Sequence, residues 1–248
     1  MFTFLLKRFY QAVIVMFVIS LVAFSIQDNL GDPLRELVGQ SVSEAQRHEL
    51  REKMGLNDPF LIKYSRFLKN AVHGDLGTSY FFKRPALEVI LDKLVATLEL
   101  VFAAALIIVV VSIPLGVYSA IRPRSFLTKL IMAVSSIGIS IPVFLTAIML
   151  MYLFSIQLGW LPAYGRGETY NLLGWESGFF TWDGIKHLIL PAVSLSSIML
   201  PLFIRLVRSE MLEQLSSEYV KFARAKGLDN NKVYYQHALK NTMLPVIT

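Results

Sequence analysis

Residues 208–248 read RSEMLEQLSSEYVKFARAKGLDNNKVYYQHALKNTMLPVIT. The stretch follows a hydrophobic run, yet it is too charged to lie in lipid and too regular to be a loose tail. Ser216 or Ser217 can cap a short helix opening at Glu218. Tyr219, Phe222, Ala223 and Lys226 then recur three and four apart, which puts them on one helix face. Gly227 is a natural stop, because glycine enters the left-handed conformation without a Cβ penalty. Asp229 can cap a second helix carrying Val233, Tyr234, His237 and Ala238. Leu244 to Thr248 turn apolar again, like the start of a further span. The pattern predicts two short helices joined by a glycine elbow at a membrane surface. Small and aromatic side chains face outward from the first, which suits a partner's groove.

Outward from that segment the chain is apolar. Of its 248 residues 54% are hydrophobic and 17% charged, with a net charge of +6, and the mean hydropathy is +0.54. These values exclude an ordinary water-soluble domain and predict an all-α, polytopic transmembrane helical bundle in one domain. Spans are expected at about 9–27, 94–121, 130–156 and 188–204, with a fifth opening at 244–248. The sequence holds no cysteine, so disulfide and thiolate chemistry are excluded. No basic cluster interleaved with aromatics marks a nucleic-acid groove.

The basic residues set an orientation. Lys7 and Arg8 precede the first span, and Arg122, Arg124 and Lys129 form a short acid-free loop. Cationic loops are retained on the cytoplasmic side, so the N-terminus and residues 208–244 are expected inside and residues 28–93 outside. The outer segment should carry its own helices. One runs from Ser43, in a capping-box pattern with Gln46, to about Met54. The other starts with Pro59 at its first position and shows an apolar stripe of Phe60, Tyr64, Phe67, Leu68 and Ala71 before His73-Gly74. Trp160, Tyr164, Trp175 and Trp182 suit an interfacial belt.

Polar residues inside spans are candidates for function. Glu99 is the only charge of its span. It either lines a pathway or reaches water or an interhelical partner near the interface. Ser135, Ser136, Gly138, Ser140 and Pro142 cluster in the third span. The serines serve close helix packing or line a pathway, and Pro142 is a place where the helix can break. Pro114 and Gly116 suggest a bend in the second span.

YVKFARAKGLDNN…HALKNTMLP resembles the cytoplasmic EAA loop of bacterial ABC importer permeases. With the family glycine on Gly227, Lys221-Phe222-Ala223 stand under EAA and His237 under the isoleucine of the closing motif. The proline of that motif is absent, Lys240 taking its place. This departure, together with ARAKGL, HALxNxxLP, MGLNDPF, GDLGTS and LGWLPAYG, is similar to the dipeptide/oligopeptide group. The resemblance implies the ABC importer type I permease fold, with C-terminal helices beyond those present here. It implies a transport subunit of the bacterial inner membrane that moves peptides. Related permeases carry nickel chelates, glutathione or haem. The resemblance further implies that Tyr219, Phe222, Ala223, Arg224, Ala225, Lys226, Gly227 and Leu228 dock into ATPase subunits. The expected partners are two ABC ATPases, a second permease subunit (a paralogue), a periplasmic or lipid-anchored substrate-binding protein and the lipid bilayer. ATP and magnesium are then bound by the ATPases.

The chain itself carries no G-x-x-x-x-G-K-[ST] phosphate loop, no G-x-S-x-G elbow and no H-E-x-x-H zinc motif. His48, His73, His187 and His237 are scattered. A membrane enzyme would need a nucleophile–base pair, and an ion-driven secondary transporter would need inverted repeats and charged broken helices. Neither pattern is visible, and Glu99 alone gives the second thin support.

Overall fold

A computed structural model describes residues 2–29, 52, 56–79, 81–172 and 174–247. The helix expected between Ser43 and Met54 lies outside the described residues, apart from Glu52. The chain divides into two units, Met1–Lys93 and Leu94–Thr248.

In the first unit α1 (Phe2–Asn29) is a single 28-residue helix. At about 1.5 Å per residue it exceeds the roughly 30 Å of a bilayer's hydrocarbon core. α2 (Phe60–Val72) packs against it through the aromatic stripe. The Phe24 ring lies 5.7, 5.5 and 5.5 Å from those of Phe60, Tyr64 and Phe67. Tyr64 is buried, and its hydroxyl lies 2.7 Å from Ser20 Oγ. Pro59 stands one position earlier than expected. It is the N-cap, with ψ 145°, because its carbonyl already accepts the first helical bonds from Ile62 and Lys63. Gly74, at φ 83°, lies just past the end of α2.

In the second unit the helices outrun the apolar windows read from the sequence. α3 is Ala86–Ile121, 36 residues; its first eight residues belong to the first unit, and the rest, from Leu94, to the second. α6 is Trp182–Ser216, 35 residues, and runs through Pro191, Pro201, Arg205 and Arg208. Charge limits contact with lipid but does not end a helix, since Glu, Arg and Lys are good helix formers. The third expected span is two helices. α4 (Phe126–Ser140) and α5 (Val143–Leu150), the latter continued by a π-helical stretch Met151–Gln157, meet at 108°. The break is local chemistry. Pro142 has no N–H to give and disfavours helical geometry at the preceding residue, and Ile141 is extended at φ −89°, ψ 122°.

Between α5 and α6 an antiparallel hairpin, β1 (Tyr170–Leu172) and β2 (Trp175–Ser177), pairs Tyr170 with Ser177 and Leu172 with Trp175. It is a small departure from an otherwise helical chain. Asn171 Oδ1 accepts from Gly174 N at 3.0 Å to close its turn, and Gly174 holds φ 88°.

Beyond α6 the chain makes α7 (Glu218–Ala225), a single turn α8 (Asn230–Lys232), a π-helical stretch Val233–Ala238 and α9 (Leu239–Ile247). These short elements are not free. Val220 and Ala223 of α7, with Val233 and Ala238, share one core with Val117 and Ala120 of α3 and Val207 and Met211 of α6. Val207, Met211, Val220, Val233 and Ala238 are fully buried. Burying a Val or Met side chain contributes about 1.5–3 kcal/mol, enough to fix α7 to the ends of α3 and α6.

Candidate coupling site and pathway residues

α7 shows a mixed face. Val220 points wholly inward, and so does Ala223. Ala223 therefore departs from the outward face read from the sequence. It lies beside Val220 on the helix surface, and the core draws both in. Tyr219 and Phe222 remain outward, Phe222 at 62% exposure. Arg224, Ala225, Lys226 and Leu228 are exposed as well. Lys226 Nζ sits 4.5 Å over the Phe222 ring, close enough for a cation–π contact. Tyr219 Oη donates to Gln214 Oε1 at 2.7 Å, tying α7 back to α6.

The caps differ from the sequence reading in one respect. Ser217 occupies the N-cap of α7, but its hydroxyl donates to Gln214 O at 2.6 Å instead of accepting from α7. Ser216 likewise donates to Glu213 O. Both hydroxyls finish α6, whose last carbonyls are adjacent, and leave the start of α7 without a side-chain cap. At the other end Gly227 holds φ 74°. Leu228 N donates to Ala223 O and Gly227 N to Arg224 O, which is the double bond pattern of a Schellman stop. Asp229 Oδ2 accepts from Asn231 N at 3.0 Å and starts the next turn.

Glu99 stands far from this segment in sequence and faces other partners. It is 6% exposed. Oε1 accepts from Gly178 N at 2.8 Å, and Oε2 lies 3.4 Å from Arg166 Nη2. Arg166 also donates to Glu176 O. The carboxylate thus clamps the connection that carries the hairpin onto α3. The seat is tight. A Cβ on Gly184 would collide with Gly178 O and lie 2.7 Å from Gly178 Cα. Beside the clamp a pocket of about 460 Å³ is lined by Leu98, Glu99, Phe102, Trp175, Phe179 and Phe180, among others. Sequence reasoning named Glu99 but not Arg166 or Gly178. An interior carboxylate is a signal that some partner exists, and no spacing says which.

Glu99→Gln is expected to loosen this clamp. The amide keeps the shape and an acceptor for Gly178 N, but it removes the charge that Arg166 meets. Hydrogen bonds to charged groups contribute about 1.5–3 kcal/mol, so amide exchange at Gly178 and Phe179 should quicken about tenfold or more. Unchanged exchange at these amides would show that the charge is dispensable there.

The three serines separate. Ser135 is buried in helix packing. Ser136 and Ser140 lie on the exposed side of α4. Ser140 Oγ donates to Ser136 O at 3.3 Å and Ser136 Oγ to Met132 O at 2.9 Å. Ser136 Oγ also accepts from Arg205 Nη2 of α6 at 2.7 Å.

A bundle of long apolar helices, one of them sharply broken, with a surface segment keyed into its core, agrees with the family comparisons. Residues 112–248 match the family model described as binding-protein-dependent transport system inner membrane component. Residues 1–101 match the model of the N-terminal part of such membrane components. The chain belongs to this family. It is a transport permease and a multi-pass protein of the inner membrane. The permease is 38% identical over 250 residues to the oligopeptide transport system permease protein of Bacillus subtilis, covering 100% of this chain and 77% of the relative. It is 34% identical over 261 residues to the dipeptide transport system permease protein of Alkalihalophilus pseudofirmus, covering 100% and 78%. A di/tripeptide transport system permease protein of Pseudomonas aeruginosa is also 34% identical, over 263 residues and again with 100% and 78% covered.

Proposed function

We propose that this permease moves di- and oligopeptides across the bacterial inner membrane as one subunit of an ATP-driven importer. The observation that carries the reading is the anchoring of α7. Phe222 and Lys226 are presented outward, while Val220 and Ala223 of the same helix are locked to Val117 and Val207 of the long helices. A partner that moves α7 therefore moves α3 and α6, and so can bias a two-state pathway. The names of the similar permeases support peptides as the substrate class.

In this reading Tyr219, Phe222, Arg224, Ala225, Lys226, Gly227 and Leu228 meet an ATPase subunit, and Ala223 supports them from within. ATP and magnesium are bound by two ATPases, not by this chain. A paralogous permease completes the pathway, and a periplasmic or lipid-anchored binding protein delivers the peptide. The N-terminus and α7 are cytoplasmic and α2 is external, which follows from the basic short loops.

The test is reconstitution in proteoliposomes with the partner permease, the ATPases and the binding protein. Peptide uptake should require ATP and survive collapse of the ion gradients. Uptake that survives loss of ATP but not of the gradient would overturn the reading. The absence of cysteine makes orientation readable in the same vesicles. Leu61→Cys should react only from the outer side and Asn231→Cys only from the inner side; the reverse would overturn the orientation.

A further inference from the structure

The guanidinium groups of Arg205 and Arg208 both reach from α6 to α4, and among the described residues no anion meets either. Arg205 and Arg208 are one turn apart on α6, and both reach across to α4. Arg205 Nη2 donates to Ser136 Oγ at 2.7 Å, and Arg208 Nη1 lies 3.4 Å from Met132 Sδ. Met132 and Ser136 are themselves one turn apart on α4. A thioether is a weak acceptor, and among the described residues no acceptor meets the buried Arg208 Nε. Among the described residues neither arginine forms an ion pair.

Both arginines belong to a helix apolar enough to cross a membrane. They stand just past its apolar window of 188–204, where long basic side chains ordinarily reach for water or headgroups, and both turn to α4 instead. The surroundings extend the polar edge. Ser140 follows Ser136 on the exposed side of α4, next to the break at Pro142. Facing lipid, the Arg205 guanidinium would keep one neutral acceptor, Ser136 Oγ, for its charge and its several donors. Facing an aqueous path, it is solvated when empty and offers donors when filled. Two guanidinium forks match an oxyanion, a carboxylate above all, in charge and in planar geometry.

We propose that Arg205 and Arg208 form a carboxylate-binding site on the translocation face, which holds the C-terminal carboxylate of the peptide near the inner end of its path. The proposal rests on the peptide reading above. A lipid phosphate offers similar chemistry. Arg205 is drawn along α4 to Ser136, however, and Arg208 is turned inward with its Nε covered, so both lean into the groove between helices.

The test uses the full complex in nanodiscs of phosphatidylcholine alone or with phosphatidylglycerol. Modification of Arg205 by phenylglyoxal is followed by mass spectrometry, with alanyl-phenylalanine or its C-terminal amide present. The free acid should slow modification about tenfold in both lipids and the amide should not, a difference matching the loss of one charge-assisted hydrogen bond. In transport, Arg205→Gln should pull the acid-over-amide preference of the wild type toward one, and Arg205→Lys, which keeps the charge without the fork, should fall between. Equal protection by acid and amide, or an unchanged preference in Arg205→Gln, overturns the proposal. Protection by phosphatidylglycerol alone also overturns it and makes the pair a lipid-phosphate site. A wild-type complex that takes up neither peptide overturns the peptide reading instead, while acid-against-amide protection still decides the role of the arginines.

Discussion

Gly116→Ala should separate α3 from α6 and loosen the coupling helix with them. A Cβ at this position would lie 2.6 Å from Val207 Cβ, 2.7 Å from Val207 Cγ1 and 3.0 Å from Ile204 O. No rotamer change relieves the first contact, because Val207 Cβ is fixed to its backbone, and valine is stiff at χ1. Val207 is also 0% exposed, within the core that holds Val220, Ala223 and Val233. Overpacking of this kind costs about 1–3 kcal/mol. For a chain of this size that corresponds to a fall in Tm of roughly 2–12 °C. Gly138→Ala is the comparison, since its Cβ would meet only Pro201 Cγ at 3.3 Å, and a small shift relieves it. Thermal unfolding of the purified complex in detergent should rank wild type above Gly138→Ala and Gly138→Ala above Gly116→Ala. A Gly116→Ala protein that melts with the wild type would mean that α3 and α6 do not cross there.

Gly227→Val should leave the protein in the membrane and break its link to the ATPases. The position differs from Gly116 in kind. A Cβ there would meet nothing within 4 Å, so packing predicts no effect at all. The cost is in the backbone, which sits at φ 74°. A β-branched residue is strained in that region, by roughly 1–3 kcal/mol. If the Schellman stop unwinds to relieve it, the Leu228–Ala223 and Gly227–Arg224 bonds are lost and Phe222 and Lys226 change direction. Since about 1.4 kcal/mol is tenfold in affinity, ATPase association should weaken about 5- to 150-fold. Insertion and docking of the binding protein should stay intact. Asparagine tolerates the left-handed conformation better, so Gly227→Asn should fall between glycine and valine. ATPase retention and substrate-stimulated hydrolysis, measured on the complex in lipid, test the order. Equal retention in all three proteins would remove α7 from the coupling path.

The two glycines divide what was readable from what was not. Gly227 announces itself in the sequence: a helical pattern stops, glycine follows, and an aspartate cap comes next. Those are nearest-neighbour facts, fixed by which conformations each residue tolerates. Gly116 was visible only as a residue suggesting a bend beside Pro114. Its actual importance is the approach of Val207, which lies in another helix and at no characteristic spacing. Pro142 belongs with Gly227, because an imide nitrogen acts on its own turn and on the residue before it. The hairpin at 170–177 leaves no mark in the sequence pattern because its strands are three residues each, too short for alternation to register.

Apolar runs, helix periodicity and the basic short loops determine, without any structure, that this chain is a helical membrane protein. The residues around Gly227 determine its family resemblance. These follow from local rules: a long apolar helix partitions into lipid wherever its neighbours are, and a left-handed turn accepts glycine whatever surrounds it. Tertiary structure alone decided that Ala223 turns inward, that Glu99 clamps Gly178 from 79 residues away, and that Arg205 meets Ser136 across 69 residues. It also decided that α6 continues as helix past Arg205 and Arg208, so that its Val207 and Met211 join Val117 and Ala120 of α3 in the core beneath α7. Such pairings depend on which faces meet once the long helices pack. Every apolar helix satisfies its own periodicity equally well at many rotations, and the choice among them is made by close approach at small residues such as Gly116 and by the partners that a buried polar group must find.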